Sequence, residues 1–348
     1  MRILMTGGTG FIGSRLALHA RAQGYEPVVL GLARNPAEQA NREELEAAGL
    51  EVRIGDATDP EMVAEAMQGV DVVVHLAAAQ HEMNISNARF REINVAATAR
   101  LLEAARATGC RRFVYGSTIG VYGHYRGVAD ETTPPAPDNI YGHTKLEAER
   151  LVLAAGGNIP VTVVRIAETY GPGDWRLLKM FRAVQKGRFP LLGGGRNLHH
   201  PIYVDDLVRG LLTVCRHPAA AGELFVMAGP EAVTTERMVE AVAAALHCSR
   251  AGPRLPLWPF VLAATLLETT LRPLGIQPPL HRRRLDFFTK SFTLRTGKAE
   301  RLLGWRPSID FAEGARQTAA WYREHGLIEA DGIGEPEARE EEIHAPGA

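Results

Sequence analysis

The chain has 348 residues, 46% of them hydrophobic, and a formal net charge of −1. That is enough apolar material for one large core or two lobes, while the near-neutral balance leaves no electrostatic footprint for nucleic acid. Cys110, Cys215 and Cys248 are odd in number and scattered, with neither disulfide-framework nor metal-ligand spacing, so a reducing compartment, the cytoplasm, is expected.

An apolar run at residues 2–6 opens the chain as a strand with no charged leader before it, so no secretory signal is expected. Thr6-Gly7-Gly8-Thr9-Gly10-Phe11-Ile12-Gly13 then turns into an amphipathic helical pattern. Glycines at 7, 10 and 13 suit a dinucleotide-binding turn: a tight bend, close backbone approach to a pyrophosphate, and close helix–strand contact, with the anion on the helix N-terminus. Further strands are predicted at 27–32, 51–54, 70–76, 112–117 and 161–166, alternating with helices such as 85–108. This alternation predicts an α/β fold, a doubly wound parallel sheet of the Rossmann kind.

Tyr141 and Lys145 stand four residues apart at the head of a helical pattern running to about residue 155, so both side chains share one face. They follow a strand ending in Gly116-Ser117-Thr118. A surface cation over an aromatic ring is the structural alternative. After residue 167 the alternation loosens and Gly and Pro increase, which predicts a smaller C-terminal substrate lobe. The stretch 255–274 is apolar but broken by Pro256, Pro259, Glu268, Arg272 and Pro273, suiting a buried or interfacial helix better than a membrane span. Arg282-Arg283-Arg284 reads as a solvated face. Residues 329–348 are acidic and nearly free of large apolar groups, and are expected to be disordered.

These motifs resemble the extended short-chain dehydrogenases/reductases, of the NAD-dependent epimerase/dehydratase and 3β-hydroxysteroid dehydrogenase-like type. The likeness reaches residue 326 and includes Gly55-Asp56, Val74-His75-Leu76-Ala77-Ala78, Asn94, residues 116–123 and 141–145, Tyr170-Gly171-Pro172-Gly173-Asp174, Tyr203-Val204-Asp205-Asp206, and the stretch from Lys298 to Trp305. The resemblance implies a dinucleotide domain of residues 1–166 and 198–228, and a substrate lobe of 167–197 and 229–328. It implies Tyr141 as acid/base and Thr118 as the hydroxyl holding the reacting oxygen, with Ser117 as fallback. Lys145 would favour the phenolate and bond the nicotinamide ribose. The cofactor set implied is Gly7, Gly10, Phe11, Ile12, Gly13, Arg34, Asp56, Ala57, Leu76, Ala77, Ala78, Asn94 and Lys145. Asp56 would contact the adenine amino group, or else cap a helix. Gly31 occupies the position where NAD-preferring relatives carry Asp, and Arg34, or Arg15, could reach a 2′-phosphate, so NADP(H) is favoured over NAD(H). Arg34 as an ordinary surface charge is the alternative.

Departures from the family pattern bear on the reaction. The 4,6-dehydratase branch follows its Thr with Asp-Glu, whereas Ile119-Gly120 stand here and transfer no proton. Glu168 replaces an Asn, and His199 replaces an Arg diphosphate clamp, of many nucleotide-sugar enzymes. Substrate-facing candidates are therefore His81, Ser117, Glu168 and His199, and no metal is expected because the histidine spacings match no ligand pattern. The Leu255-Pro256-Leu257-Trp258-Pro259 stretch and the helix after it resemble the hydroxysteroid branch and suggest an apolar lining, with plain core as the alternative. The reading is an oxidoreductase interconverting a secondary alcohol and a ketone, 3β-hydroxysteroid dehydrogenase-like. A UDP-hexose-type 4-epimerase is the runner-up, and a non-catalytic dinucleotide-sensing regulator the third hypothesis. The partner expected is a small-molecule substrate, with no nucleic acid and no stable membrane insertion, and a homodimer left open.

Overall fold

Strands apolar on both faces need cover on both sides, and the chain supplies it. The structure is a computed structural model that describes residues 1–80, 85–248, 252–271 and 282–329; His81 and residues 330–348 of the expected tail lie outside the described residues. Seven parallel strands form the sheet: β1 Arg2–Thr6, β2 Glu26–Gly31, β3 Glu51–Ile54, β4 Val72–His75, β5 Arg112–Thr118, β6 Val161–Ile166 and β7 Glu223–Met227. Their order is β7-β6-β5-β4-β1-β2-β3. Strand alternation sends Ile3, Met5, Val29, Val72, Val74 and Val114 into one core, and Leu4, Val28, Leu30, Val73, Phe113 and Tyr115 into the other. Strand β7 was not visible in the alternation; it returns from the later part of the chain to pair with β6.

The helices are α1 Phe11–Ala22, α2 Pro36–Ala47, α3 Pro60–Ala66, α4 Asn87–Arg91, α5 Ala97–Ala107, α6 Ile140–Ala154, α7 Trp175–Gln185, α8 Val204–Arg216, α9 Thr235–Ala245, α10 Trp258–Leu271, α11 Arg282–Thr289, α12 Gly297–Leu303 and α13 Phe311–Glu324. Helices α1, α2 and α8 contribute to the first core, α3, α5 and α6 to the second. Short polar caps start them where the sequence places Asn, Asp or Thr: Asn35, Asp59, Asn139, Asp174, Thr234 and Asp310 each accept a first-turn N–H. The expected helix 85–108 is one helical run from Asn87 to Ala107, in which a π-helical turn at Glu92–Ala96 lies between α4 and α5. A wider turn of this kind often marks a functional position, and here it contains the buried Asn94.

A second lobe packs α7, α9 and α13 around Phe181, Val239, Ala315 and Tyr322. Helix α10 departs from expectation. Only Ala264 and Glu268 are buried on it, while Trp258, Leu262 and Leu266 are exposed. No helix among the described residues is long and apolar enough to cross a membrane. Glu329, expected to begin the disordered tail, exchanges hydrogen bonds with the Gln185 side chain.

The adjacent Asp205 and Asp206 join the parts. Asp205 takes bonds from Arg15 at 3.0–3.2 Å, fixing α8 to α1. Fully buried Asp206 accepts from the backbone N–H groups of Ser308 and Ile309 at 2.8 and 2.9 Å, and pairs with Arg209 at 2.6 Å. Asp206→Ala would strand those donors in the interior, and breaking such a buried charged contact costs about 3 kcal/mol. Urea unfolding should show a loss of that order, whereas Asp205→Ala, removing a half-exposed contact, should lose clearly less; equal losses would contradict the assignment of Asp206 as the main tie.

Candidate active site

The order of the sheet reverses at β1, between β2 and β4, and a cleft opens at the carboxyl ends of the strands there, as expected at such a switch point. Its first part is shaped by the glycine turn. Gly7 has φ of +66°, and a Cβ on it would lie 2.8 Å from the Ala77 nitrogen. A Cβ on Gly13 would lie 2.3 Å from the Gly7 carbonyl oxygen, so α1 can begin hard against the turn only without side chains there. Gly10 caps α1 with no side-chain bond, leaving the first N–H groups of the helix for an anion.

Beyond the turn, Gly7, Gly31, Arg34, Glu38, Asp56, Ala57, Leu76, Ala77 and Ala78 line a pocket of about 190 Å³. A Cβ at Gly31 would lie 2.3 Å from Thr9 Oγ1, so Thr9 fills the space an Asp would need. Arg34 is exposed and donates to Asp56 Oδ2 at 3.2 Å. Burial would raise the Asp56 carboxyl, but bonds from Thr58 and the charges of Arg89 and Arg34 outweigh it and hold the group below its ordinary value. Asp59, not Asp56, caps α3. Glu38, which the sequence reading missed, enters the same pocket and accepts the Arg34 backbone N–H at 2.8 Å. Arg15 is not part of it, being tied to Asp205. Asn94 is also set back. Its Oδ1 accepts from Ala79 N at 2.8 Å and its Nδ2 donates to Ala79 O and Thr144 Oγ1, so the amide fixes the loop after β4 to α6.

Tyr141, Lys145 and Thr118 line a second cleft, of about 380 Å³, together with Gly7, Gly10, Phe11, Ile12 and Gly13. Helix α6 presents Tyr141 half-buried and Lys145 fully buried. Lys145 Nζ donates to the Gly116 carbonyl at 2.5 Å and lies 4.2 Å from the centroid of the Tyr115 ring on β5. Burial drives its ammonium down to about 7, against the upward pull of Glu149. His75 stands behind it, neutral because burial and then the Lys145 charge push it down to about 3; its two nitrogens contact Thr6 and Thr98. Thr118 Oγ1 accepts from Gly120 N at 3.0 Å. Ser117 lines the same cleft, and its hydroxyl donates to Glu149 Oε2 at 2.8 Å, toward α6.

Arg165 completes this layer with bonds of 2.6 and 3.2 Å to the two oxygens of Glu149 and one of 2.9 Å to Tyr122. Glu149 and Arg165 were not recognised from sequence. The spacing of Glu149, four residues past Lys145 on the same helix face, carried the available signal.

The outer wall is formed by Ile166, Ala167, Glu168, Thr169 and Arg176. Glu168 is 43% exposed, and its Oε2 accepts from Nδ1 of the buried His199 at 2.9 Å. His199 therefore lies one layer behind the cleft, held also by Thr235 and Asn197 and tilted against the Phe287 ring. No residue of 255–271 lines this cleft, so α10 does not provide the apolar lining expected of it. Arg176 and Gln80 are lining residues that the sequence reading missed. Among the described residues no cluster of His, Cys, Asp or Glu is placed to hold a metal ion.

A family model described as the NAD dependent epimerase/dehydratase family matches residues 3–228. The UDP-glucose 4-epimerase of Vibrio cholerae is 30% identical over 332 residues, covering 91% of this chain and 94% of that protein. The 2-alkyl-3-oxoalkanoate reductase of Stenotrophomonas maltophilia is 28% identical, covering 92% and 99%. The solved structure of a dTDP-glucose 4,6-dehydratase from Streptomyces venezuelae, with NAD and TYD bound, matches with a TM-score of 0.76 at 28% identity, covering 93% of this chain and 97% of that one. The Rossmann sheet, the glycine turn and these likenesses agree: the chain belongs to the NAD-dependent epimerase/dehydratase family and is an enzyme of the extended short-chain dehydrogenase/reductase type.

Proposed function

We propose that this enzyme interconverts a secondary alcohol and a ketone in one step with NADP(H), on a partly apolar substrate. The observation that carries the reading is the convergence of Tyr141, Lys145 and Thr118 with the glycine turn in one cleft whose other lining includes Phe11, Ile12, Leu76, Ile119, Ile166 and Ala167. In this reading residues 1–166 and 198–228 carry the cofactor, and 167–197 with 229–328 carry the substrate. Gly7, Gly10 and the first turn of α1 would hold the pyrophosphate, and the pocket around Gly31 and Asp56 the adenosine. A bound nicotinamide supplies the hydride in reduction and accepts it in oxidation.

Tyr141 gives its phenolic proton to the substrate oxygen in reduction and withdraws it in oxidation. An isolated phenol titrates near ~10, and a cation at the next helical turn favours the phenolate. Lys145 is that cation, fixed by the Gly116 carbonyl and a dry wall of Tyr115 and His75. The Thr118 hydroxyl holds the substrate oxygen. Ile119 and Gly120 bring no acid or base next to it, which argues against the elimination of water that the dehydratases perform. The likeness to the oxoalkanoate reductase supports a keto substrate with an aliphatic part.

The likeness to the Vibrio epimerase supports a second reading, a nucleotide-sugar 4-epimerase using the same Tyr141 and Lys145. Against it stands Glu168, whose carboxylate faces the cleft where a diphosphate would need cations. UDP co-purifying with the protein, or turnover without net change of cofactor, would favour the epimerase. Tight cofactor binding with no turnover across alcohols, ketones and nucleotide sugars would favour the sensing regulator.

Three outcomes test the reading. Tyr141→Phe should keep the fold and cofactor affinity but lose about 10²–10⁴-fold in turnover, measured by NADPH oxidation on the best ketone of a screen; near-full activity would sink the mechanism. Lys145→Met should damage turnover and yet melt higher than wild type in the apo form near pH 7. The Lys145 ammonium is depressed in the folded state to about 7 from an ordinary 10.5, so its burial destabilises most below 7 and that penalty fades as pH rises toward 10.5. The gap in melting temperature between the two proteins should accordingly narrow between pH 7 and 10, and a gap that widens would contradict it. In fluorescence titrations NADPH should bind more tightly than NADH. Arg34→Ala should shrink that preference by about tenfold and Glu38→Gln enlarge it, since each removes one charge facing the 2′ position; tighter NADH binding by wild type would overturn the cofactor assignment.

A further inference from the structure

Arg176 is the cation of the cleft that the mechanism above leaves unused. It lies on the first turn of α7 and lines the same cleft as Tyr141 and Glu168. Its side chain is 54% exposed, yet it is not loose. Nε donates to Asp174 Oδ1 at 3.1 Å and Nη2 to the Thr169 carbonyl at 2.8 Å. Asp174 is itself buried and accepts the Arg176 backbone N–H at 2.9 Å as the cap of α7, so carboxylate, helix start and guanidinium form one rigid unit. Among the described residues only Nε and Nη2 find acceptors, which leaves the Nη1 edge for a ligand. The charge of Asp174 first, and those of Glu168 and Tyr141 after it, raise the Arg176 guanidinium above its ordinary value, so it stands within electrostatic reach of the reacting oxygen's proton donor.

We propose that Arg176 binds a carboxylate carried by the substrate, making this enzyme selective for oxo or hydroxy acids over the corresponding neutral ketones and alcohols. The proposal rests on the oxidoreductase reading and names its substrate class. A guanidinium already fixed at two nitrogens loses little freedom when it binds an anion, and its remaining Nη1 hydrogens give charge-assisted bonds to a carboxylate oxygen. With Asp174 already paired to it and the Glu168 carboxylate in the same cleft, the one open edge of Arg176 suits a single carboxylate rather than a diphosphate. The aliphatic remainder of the acid would lie against Ile119, Ile166 and Ala167. Sequence spacing alone gave no sign of this role, because Arg176 reaches the cleft only through the turn that Gly171 and Gly173 make at φ of 144° and 90°.

The test is binding rather than turnover, so that failure of the redox reading would not mask it. Decanoate and its methyl ester are titrated by calorimetry into wild type, Arg176→Gln and Arg176→Lys, each saturated with NADPH, with UDP as a third titrant. Wild type should bind the acid about tenfold more tightly than the ester, Arg176→Gln should lose that preference while holding NADPH within twofold of wild type, and Arg176→Lys should retain part of it. Equal binding of acid and ester by wild type would overturn the proposal. So would a drop in NADPH affinity in Arg176→Gln, which would assign the guanidinium to the cofactor pyrophosphate. Micromolar UDP binding lost in Arg176→Gln would give it to a nucleotide diphosphate instead. If the acid preference holds but no oxo acid is reduced, the binding role stands and the oxidoreductase reading falls.

Discussion

Two cations and one carboxylate lie buried beneath the cleft, and most of the site follows from how they share charge. Lys145 and Glu149 occupy successive turns of one face of α6, and Arg165 reaches Glu149 from β6. Burying such groups is costly unless every charge finds partners. Arg165 takes both oxygens of Glu149, so the carboxylate is nearly spent before it can act on Lys145. Burial drives the Lys145 ammonium down to about 7, and the charge of Glu149 offsets that only in part. The arrangement also consumes Ser117 and Tyr122, which stiffens the end of β5 and the turn carrying Thr118.

The features legible in the sequence are those whose partners lie within one turn or one bend of chain. Gly7, Gly10 and Gly13 could be read because a strand-to-helix bend with an open helix start is a local arrangement. Tyr141 and Lys145 could be read because a four-residue step on a helix is fixed geometry. The failures share the opposite property. Arg15 has the charge for a phosphate but finds Asp205, 190 residues away, first. Asn94 carries a polar amide suited to a ligand, yet the π-helical turn directs it to Ala79 and Thr144. Apolar content at 255–271 says that a helix will seek cover, not that it will face the cleft, and α10 instead presents Trp258, Leu262 and Leu266 outward.

Position 31 shows how a missing group can be as structural as a present one. The absence of Asp at position 31 looks from sequence like a simple exchange of chemistry. In the fold it is enforced by Thr9, whose hydroxyl occupies the place of any side chain there and whose carbonyl is held by Asn41 at 2.8 Å. Reinstating a carboxylate at 31 would therefore require changing the glycine turn as well. Glu38 complicates the picture from the other side, since a carboxylate on the first turn of α2 enters the same pocket by a route that strand-end reasoning does not consider.

The same logic bears on how the proposed mechanism would choose its substrate. Tyr141 and Lys145 belong to a helix braced by the sheet, so their geometry is set by the core and changes little with the outer wall. That wall is assembled from remote pieces: Glu168 follows β6, His199 supports it from a strand segment 31 residues on, and Thr235, Asn197 and Phe287 hold His199 in turn. Arg176 joins from α7 through Asp174. Each contact depends on the lobe that carries it, so in the proposed mechanism one exchange in that lobe would alter the charge facing the substrate without disturbing proton transfer. Under the proposed mechanism the redox chemistry would rest on the dinucleotide half of the fold, and substrate choice on the packing of the other half against it.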